Sequence, residues 1–475
     1  MRDIPAFAVI GRVNKGKSSI VSTLAEDENV TIDSGAGTTL VCQEFPVTVD
    51  GRAIISLIDT PGFQQAPRAL SWLREQDVPV ENRPQAVRDF YDRFNNTDDF
   101  VDECRLLKPI LEGAGILYVV DGAKPFRRNF EAEMEILRWT GQPRMALINH
   151  IGKDDYSKDW RPVLDQYFSI VRQFNAQEVL FRDRLELFRA FRELNDDWRP
   201  VVDEAIRYLK LEWQRREREA AHIITEMLVD ELTYYKEIGL KKHENIDDHR
   251  AGIETGFHDR LRKMEGKSRH AIERLYRHKK IEKEEIELGR PVFQQDLFAE
   301  STWGMLGLTP RQLLSIGAVT GAALGGTFDM AVGGASFLAG AIGGALLGAG
   351  SVAYFSTKRF ASIEHVSKFF QGSRLIRVGP HKNRNFPWVL LDRALLHYFT
   401  VRDYAHSRRE KLVIKDQENS GIVKNMDQGQ RSELAKLFDT LRKNPAGTKE
   451  REKEKLELIL LEVIKNEAGQ LPAED

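Results

Sequence analysis

The sequence predicts an α/β fold for residues 1–185, a doubly wound sheet, followed by a mostly helical region that contains a Gly/Ala-rich apolar hairpin. Short apolar segments alternate with helical segments in the first part, which is typical of a sheet covered by helices on both faces. A glycine-rich loop separates the first strand from the first helix. From about residue 196 onward, long helical patterns rich in Arg, Lys and Glu replace the strands.

Length, charge and cysteine content restrict the class of protein. The chain has 475 residues, which is enough for about three domains, and its net charge is −2. This near-neutral charge gives no global field that favours nucleic acid. The two cysteines cannot build a disulfide framework and fit a reducing compartment. The N-terminus enters the first strand directly, so we expect no signal peptide and a cytoplasmic location.

The first strand, the first helix and the loop between them form the most specific motif. Residues 4–10 predict a buried strand, and residues 18–24 predict the first turns of a helix. Between them, the segment 11–18 reads GRVNKGKS, with two glycines four residues apart and then Lys-Ser. The backbone N–H groups of such a loop surround phosphate, its lysine reaches the β- and γ-phosphates, and its serine hydroxyl is left for Mg²⁺. The residues expected to bind a nucleoside triphosphate here are Gly11, Asn14, Lys15, Gly16, Lys17, Ser18 and Ser19.

An acidic turn follows the phosphate loop in the sequence, at the distance expected for a segment that senses the nucleotide. Strands over residues 44–49 and 53–58 flank an Asp-Gly hairpin turn, and the second strand runs into DTPG at residues 59–62. An acidic residue at the end of a buried strand beside a phosphate loop can hold Mg²⁺, usually through water. The N–H group of the glycine can contact a γ-phosphate. Asp59 and Gly62 are therefore predicted to sense the nucleotide.

The rest of the first region is predicted to complete the sheet. Bulky apolar residues recur at helical spacing over residues 64–112, which predicts a helical insertion whose aromatic residues form a core rather than a ligand pocket. Strands are expected over 115–121, 144–148 and 170–174, and a helix over 177–194 closes the domain.

Three motifs together resemble the Era and TrmE group of bacterial GTPases. They are the loop 11–18, the Gly-Thr-Thr segment 37–39 and DTPG at 59–62, and the resemblance covers residues 1–185. It implies that GTP is the nucleotide and that Thr39 closes on Mg²⁺, with Thr38 as the alternative. On this resemblance Lys17, Thr39 and Gly62 act in hydrolysis, and Ser18, Thr39 and Asp59 hold Mg²⁺. The base is contacted by Asn149, Asn175 and Ala176.

Three positions modify what the resemblance implies. Gly152 replaces the aspartate of the guanine-binding Asn-Lys-x-Asp motif, so that either Asp154 or Asp155 substitutes from a shifted loop or guanine is read more weakly. Phe63 stands where Ras-type enzymes carry the glutamine that orients water, so slow intrinsic hydrolysis is expected. Asn14 matches the asparagine with which TrmE-type loops hold K⁺; the alternative is that it only tolerates the backbone angles of the turn.

The second half of the chain divides into three predicted regions. Residues 186–310 predict antiparallel charged helices or a coiled hairpin, and residues 359–475 predict an α+β region that ends in a charged helix. Residues 311–358 are rich in glycine at intervals of four, and Asp329 is their only acid. This apolar stretch is expected to form a hairpin in or on the cytoplasmic membrane. The competing interpretation is a glycine-rich helical pair buried in a soluble core.

The whole arrangement resembles a bacterial family with a GTPase domain joined to a C-terminal domain of unknown function. We expect an enzyme that hydrolyses GTP to GDP and phosphate and couples its nucleotide state to a membrane-associated helical domain. Membrane lipid or a membrane protein is the expected partner, nucleic acid is not, and the oligomeric state is left open. The alternatives are a dynamin-like GTPase that assembles on membranes and an Era-like GTPase associated with the ribosome or RNA.

Overall fold

A computed structural model describes most of the chain. The described residues are 4–12, 15–27, 30, 42–49, 51–150, 152, 154–176, 178–241, 244–278, 297–298, 306–309, 311–313, 316, 363–370, 373–407, 421–445, 447 and 450–467. Asn14, Thr38, Thr39 and nearly all of the expected hairpin 311–358 lie outside them. The chain divides into two compact units, the first formed by Met1–Arg215 with Asp403–Glu410 and the second by Arg216–Arg402 with Lys411–Asp475.

The first unit is built on a six-stranded sheet with the strand order β2-β3-β1-β4-β5-β6. β2 pairs antiparallel with β3, whereas β1 is parallel to β3 and β4, and β5 is parallel to β4 and β6. Both central strands β1 and β4 are apolar and buried along their whole length, as expected for parallel strands covered on both faces. The strands are β1 (Ala6–Ile10), β2 (Gln43–Val49), β3 (Arg52–Asp59), β4 (Gly115–Asp121), β5 (Arg144–Asn149) and β6 (Ile170–Phe174).

This strand order brings the predicted motifs to one edge of the sheet. β1, β3, β4 and β5 run in the same direction, so the loops that follow them emerge together at their carboxyl ends. Val9 in β1 lies opposite Asp59 in β3, and Asp121 in β4 lies opposite Asn149 in β5. The phosphate loop, DTPG and the loop after β5 are therefore neighbours.

In the described part of the first unit, seven α-helices accompany the sheet, and three of them lie within the expected insertion 64–112. Trp72, Phe90, Phe94 and Phe100 pack against one another with ring centroids 4.9 to 5.6 Å apart. These aromatic residues form a core, as the sequence indicates. The helices are α1 (Lys17–Ala25), α2 (Ala66–Glu75), α3 (Arg83–Phe94), α4 (Val101–Leu111), α5 (Asn129–Trp139), α6 (Ser157–Leu164) and α7 (Phe181–Arg192).

Helices predominate in the described part of the second unit. The long helix α8 (Arg199–Thr233) contributes residues to both units, and α9 (Ile246–Leu275) follows it. The C-terminal helices are α10 (Phe386–Arg402), α11 (Ile422–Asn425), α12 (Gln428–Lys443) and α13 (Glu450–Glu467). Of these, α10 ends at Arg402. None of the helices in the described part of the chain combines the length and apolar character that crossing a membrane requires.

A small antiparallel sheet accompanies these helices, with the order β7-β9-β8. The strand and turn expected at residues 374–380 correspond to β9 (Ser373–Val378), which pairs with β7 (Lys236–Lys241) and β8 (Ile363–Phe370). β7 falls in the region that the sequence indicates to be helical throughout. Its alternating exposed residues resemble a charged helix surface in composition, and its partner strand is far away in the chain.

Candidate nucleotide-binding site

The phosphate loop is shaped by a close approach to the sheet. Gly11 follows β1 with φ 149°, and a Cβ atom added there would lie 2.3 Å from the carbonyl oxygen of Val119 in β4. Any side chain at this position would displace the loop, so glycine is required. The loop then leads through Gly16 directly into α1, whose N-terminal N–H groups are available to an anion.

Lys17 is the buried cation of this loop. Its ammonium group donates to the carbonyl oxygen of Arg12 at 3.0 Å, so the side chain crosses back over the loop. Burial lowers the pKa of Lys17, whereas the nearby carboxylates of Asp59 and Glu133 act in the opposite direction. A cation held at the N-terminus of a helix, with its solvation already reduced, is well suited to binding phosphate oxygens.

Ser18 and Asp59 come together from different elements. The hydroxyl of Ser18 at the start of α1 donates to the carboxylate of Asp59 at the end of β3, with 2.7 Å between the oxygens. A hydroxyl beside a buried carboxylate supplies the hard oxygen ligands that Mg²⁺ prefers. These residues therefore fit the ion that the sequence predicts for them.

An ion pair anchors the phosphate loop to α5. Arg12 donates from its Nε to Glu133, which is fully buried, and the Tyr118 hydroxyl donates to the same carboxylate at 2.9 Å. The Arg12 guanidinium also stacks over Phe130, 4.4 Å from the ring centroid. Burial raises the pKa of Glu133, and the hydrogen bond from Arg12 opposes this shift. No pattern in the sequence points to Glu133, because its pairing with Arg12 spans more than a hundred residues.

Lys15 takes part in a separate ion pair. Its ammonium group lies 3.3 Å from the carboxylate of Asp121, which is 2% exposed at the end of β4, and Lys124 lies 3.5 Å from the same oxygen. Burial lowers the pKa of Lys15, and Asp121 opposes the shift. The Lys15 side chain is therefore engaged by Asp121, and Lys15 contributes its backbone groups to the site.

At the other end of the site, Asn149 joins two loops. Its amide nitrogen donates to the carbonyl oxygen of Lys15 at 3.3 Å, and its amide oxygen accepts from the backbone N–H of Ala176 at 3.2 Å. The Thr23 hydroxyl donates to the Ala176 carbonyl at 2.9 Å. Asn149 and Ala176 are thus brought together with the phosphate loop. Asn175 instead donates to Glu178 at 3.0 Å, within its own turn.

Gly152 stands where the Asn-Lys-x-Asp motif has its aspartate, so this position carries no carboxylate. At Gly152 an added Cβ would lie 3.0 Å from the Cβ of Ala123. Of the two proposed substitutes, Asp155 accepts from the Ser157 N–H at 2.9 Å in the turn before α6, and hydrogen bonds from the Ser157 hydroxyl and N–H lower its pKa. Asp154 is exposed.

Phe63 and Gly62, which follow the acidic turn, are both buried. The ring of Phe63 belongs to the hydrophobic core of the sheet and the insertion. The hydroxyl of Thr60, the residue after Asp59, donates to the Val9 carbonyl at 2.8 Å. This bond fixes the turn against β1. A polar group that orients water must therefore come from another residue than Phe63.

Comparison with protein-family models places these observations in a known group. Residues 161–461, more than half of the chain, match the family described as "Domain of unknown function (DUF3482)". The chain belongs to this family. Residues 6–150 match the model described as "50S ribosome-binding GTPase", so the DUF3482 region here follows a P-loop GTPase domain.

Individual relatives are similar to short parts of the chain. GTPase Der of Caldanaerobacter subterraneus is 46% identical over 62 residues, which are 13% of this chain and 14% of that protein. GTPase Der of Rhodopirellula baltica is 40% identical over 59 residues, 12% of this chain and 13% of that protein. The chain therefore spans 13 to 14% of the length of these curated relatives.

Two solved structures of Era are also similar to parts of the chain. Aquifex aeolicus Era bound to GDP and aluminium fluoride is 17% identical, with 51% of this chain and 75% of that chain covered and a TM-score of 0.26. Era in complex with MgGDPNP and a 16S ribosomal RNA fragment is 19% identical, with 37% and 52% covered and a TM-score of 0.23.

Proposed function

We propose that this protein binds GTP and hydrolyses it to GDP and phosphate at the edge of the first-unit sheet. The observation that carries the proposal is the 2.7 Å contact between Ser18 and Asp59, beside the buried ammonium group of Lys17. Lys17 binds the β- and γ-phosphates, and Gly62 supplies an N–H to the γ-phosphate. Ser18, Asp59 and Thr39 hold Mg²⁺, which would neutralise charge on the transferred group.

Guanine is proposed to occupy the end of the site formed by Asn149 and Ala176. Asn149 already bonds both neighbouring loops, so its position is fixed before a base arrives. Such preorganisation reduces the ordering cost of binding.

The central test removes the two groups that act on the phosphates. Lys17→Ala and Ser18→Ala are expected to abolish GTP hydrolysis while circular dichroism shows an unchanged fold. Lys124→Ala is the matched control, because its ammonium group is near the loop but 63% exposed. Turnover by Lys17→Ala equal to that of the wild type would refute the proposed function.

A potassium ion that assists hydrolysis is a further part of the proposal. Because Phe63 cannot orient water, hydrolysis should be slow and should depend on another group, and Asn14 is proposed to hold K⁺ near the β- and γ-phosphates. Rates in KCl and NaCl at equal ionic strength measure this, with faster hydrolysis expected in KCl. Equal rates in the two salts, or a difference that survives Asn14→Ala, would contradict a potassium site at Asn14.

Coupling to the membrane is proposed from the sequence of residues 312–357. Arg311 precedes this apolar stretch, Lys358 and Arg359 follow it, and no basic residue lies within it, which by the positive-inside rule keeps both ends cytoplasmic. After a carbonate wash the full chain should stay in the membrane pellet, and a chain lacking 312–357 should be released. An intact protein that is monodisperse without detergent would refute membrane coupling.

Association with ribosomal RNA is a second candidate, favoured by the description of the family model that matches residues 6–150. Co-sedimentation with 50S ribosomal subunits at two salt concentrations distinguishes it. Nucleotide-dependent binding that persists at physiological salt would support this candidate, and binding that disappears at that salt would argue against it.

A further inference from the structure

Glu103 in α4 contacts the segment that follows DTPG. One carboxylate oxygen, Oε1, accepts from the backbone N–H groups of both Gln64 and Gln65, at 2.8 and 2.5 Å. The side chain is 1% exposed although glutamate is rarely buried to this extent. Its negative charge lies at the N-terminus of α2, where the helix dipole favours it.

The same turn of α4 also contacts the other side of the site. The thiol of Cys42, immediately before β2, donates to the carbonyl oxygen of Arg105 at 3.3 Å. Burial raises the pKa of this thiol to about 11, and the charge of Asp59 acts in the same direction. Residues 103–105 therefore bridge the chain after Gly62 and the chain that leads into β2.

The second oxygen of Glu103 is available for a further interaction. Oε2 is buried and has no hydrogen-bond partner within the described part of the chain. Buried carboxylate oxygens usually accept at least one hydrogen bond each. In Glu103, Oε1 accepts two backbone hydrogen bonds and Oε2 accepts none from the described residues. The contact with Gln64 and Gln65 is therefore made through Oε1 alone.

We propose that Glu103 is a positioning residue that couples a γ-phosphate bound at Gly62 to the helical insertion. This inference rests on the proposed function. Only Phe63 separates Gly62 from Gln64, and the ring of Phe63 is fixed in the core. When the Gly62 N–H turns to a γ-phosphate, the Gln64 and Gln65 amides turn with it. Because a buried carboxylate does not give up both bonds readily, α4 follows, and with it the contact to Cys42.

The first experiment uses the unaltered full chain. Hydrogen exchange of the backbone amides in residues 101–111 is compared with GDP and with a non-hydrolysable GTP analogue, both with Mg²⁺. We expect at least one exchange rate in this helix to change by about 10-fold between the two states, as a local opening equilibrium shifts. Identical exchange in the two states would overturn the coupling.

Three variants separate coupling from capping. Glu103→Gln keeps an oxygen that accepts both N–H bonds, whereas Glu103→Ala removes it; Asp102→Ala, which loses only an exposed contact with Arg105, is the matched control on the same helix. Glu103→Ala should lower kcat about 10-fold or more with KM nearly unchanged, and should abolish the exchange difference in α4. Glu103→Gln and Asp102→Ala should retain both.

The outcomes distinguish this inference from the function on which it rests. If Glu103→Ala is less stable but retains kcat and the nucleotide-dependent exchange, Glu103 is only a helix cap and the coupling is refuted. If the wild type hydrolyses GTP while α4 exchanges identically in both states, the coupling alone is refuted. If the wild type binds no GTP, the proposed function and the coupling are both refuted.

Discussion

At the scale of the residue, Gly152 is predicted to determine how strictly the base is read. A buried site that hydrogen-bonds a substrate group rejects analogues strongly, and one that lacks the bonding group rejects them less. Because no carboxylate stands at Gly152, and Asp155 already accepts from the Ser157 N–H, ATP should compete with labelled GTP better than it does at a complete motif. Equal affinities for ATP and GTP would show that the chain is a general nucleoside triphosphatase.

Restoring the carboxylate provides the sharper measurement. Gly152→Asp should raise the preference for GTP over ATP by about 10-fold or more, since two hydrogen bonds to guanine are added. Gly152→Ala is the control, because it adds the same Cβ, 3.0 Å from that of Ala123, without the carboxylate. An equal change of preference in both variants would mean that crowding, rather than guanine recognition, is responsible.

His381 gives the second unit an acid sensitivity of known sign. Burial lowers the pKa of His381 well below its usual value, with Arg442 and His258 acting in the same direction. The unfolded chain therefore binds a proton at a pH at which the folded chain does not, so stability falls as pH decreases below 6.5. At pH 5.5 the expected loss is about 1 kcal/mol relative to neutral pH.

Substitution by phenylalanine isolates this contribution. His381 stacks on Phe386 with ring centroids 4.0 Å apart, and His381→Phe keeps an aromatic ring there without a titrating group. Urea unfolding of the two proteins at pH 5.5 and 7.5 gives the difference in pH dependence. If the variant loses as much stability as the wild type on acidification, other groups cause the acid sensitivity.

At the scale of the element, the sequence was most informative where strands are uniformly apolar. β4 has the predicted limits, because a parallel strand buried along its whole length reads as a short apolar run between turns. β6 also has the predicted limits, although its Arg172 and Gln173 are exposed. β7 was missed, since a two-sided strand such as KEIGLK has no such run and depends on β9, more than a hundred residues later. A local sequence pattern identifies strands that are uniformly apolar. A strand that is stabilised by pairing with a distant part of the chain can be recognised only from the tertiary structure.

Two glycines in different elements are expected to respond oppositely to alanine. Gly379 ends β9 with φ +91°, and a Cβ there would lie 2.5 Å from the Tyr234 carbonyl oxygen. Gly252 is exposed within α9, and a Cβ there would meet no atom within 4 Å. Gly379→Ala should lower the free energy of unfolding by about 2 kcal/mol or more, and Gly252→Ala should raise it by about 0.5–1 kcal/mol.

Chemical denaturation of the two variants measures these changes against the wild type. The free energy change in Gly252→Ala reports helix propensity alone, so it serves as the control for Gly379→Ala. A Gly379→Ala protein as stable as the wild type would show that the turn relaxes and that glycine is not required there.

At the scale of the whole molecule, the sequence located the ends of the site but not the contacts that hold them. Lys17, Ser18 and Asp59 could be predicted because local spacing identifies their motifs, and the structure brings Ser18 to Asp59. Glu103 and Glu133 could not, because each acts through long-range contacts from a helix with no motif of its own.

The longest contact of this kind reaches the base end of the site. Residues 403–410 belong to the first unit although they follow α10 late in the chain. Ser407 is 1% exposed, and its hydroxyl donates to the Ala176 carbonyl at 2.7 Å. With Thr23 bonded to the same carbonyl, both acceptor positions of Ala176 are used. The C-terminal part of the chain thus contributes to fixing the loop against which guanine is proposed to bind.

Ser407→Ala should therefore accelerate nucleotide release. Removing one hydrogen bond from the Ala176 loop weakens its hold by about 1 kcal/mol, which corresponds to about a fivefold faster dissociation of fluorescent GDP. Thr440→Ala is the control, since it removes an exposed hydroxyl that bonds only to the Lys436 carbonyl within its own helix. If both variants release GDP at the wild-type rate, Ser407 only completes the packing of residues 403–407; acceleration in Ser407→Ala alone would make this segment a determinant of nucleotide exchange.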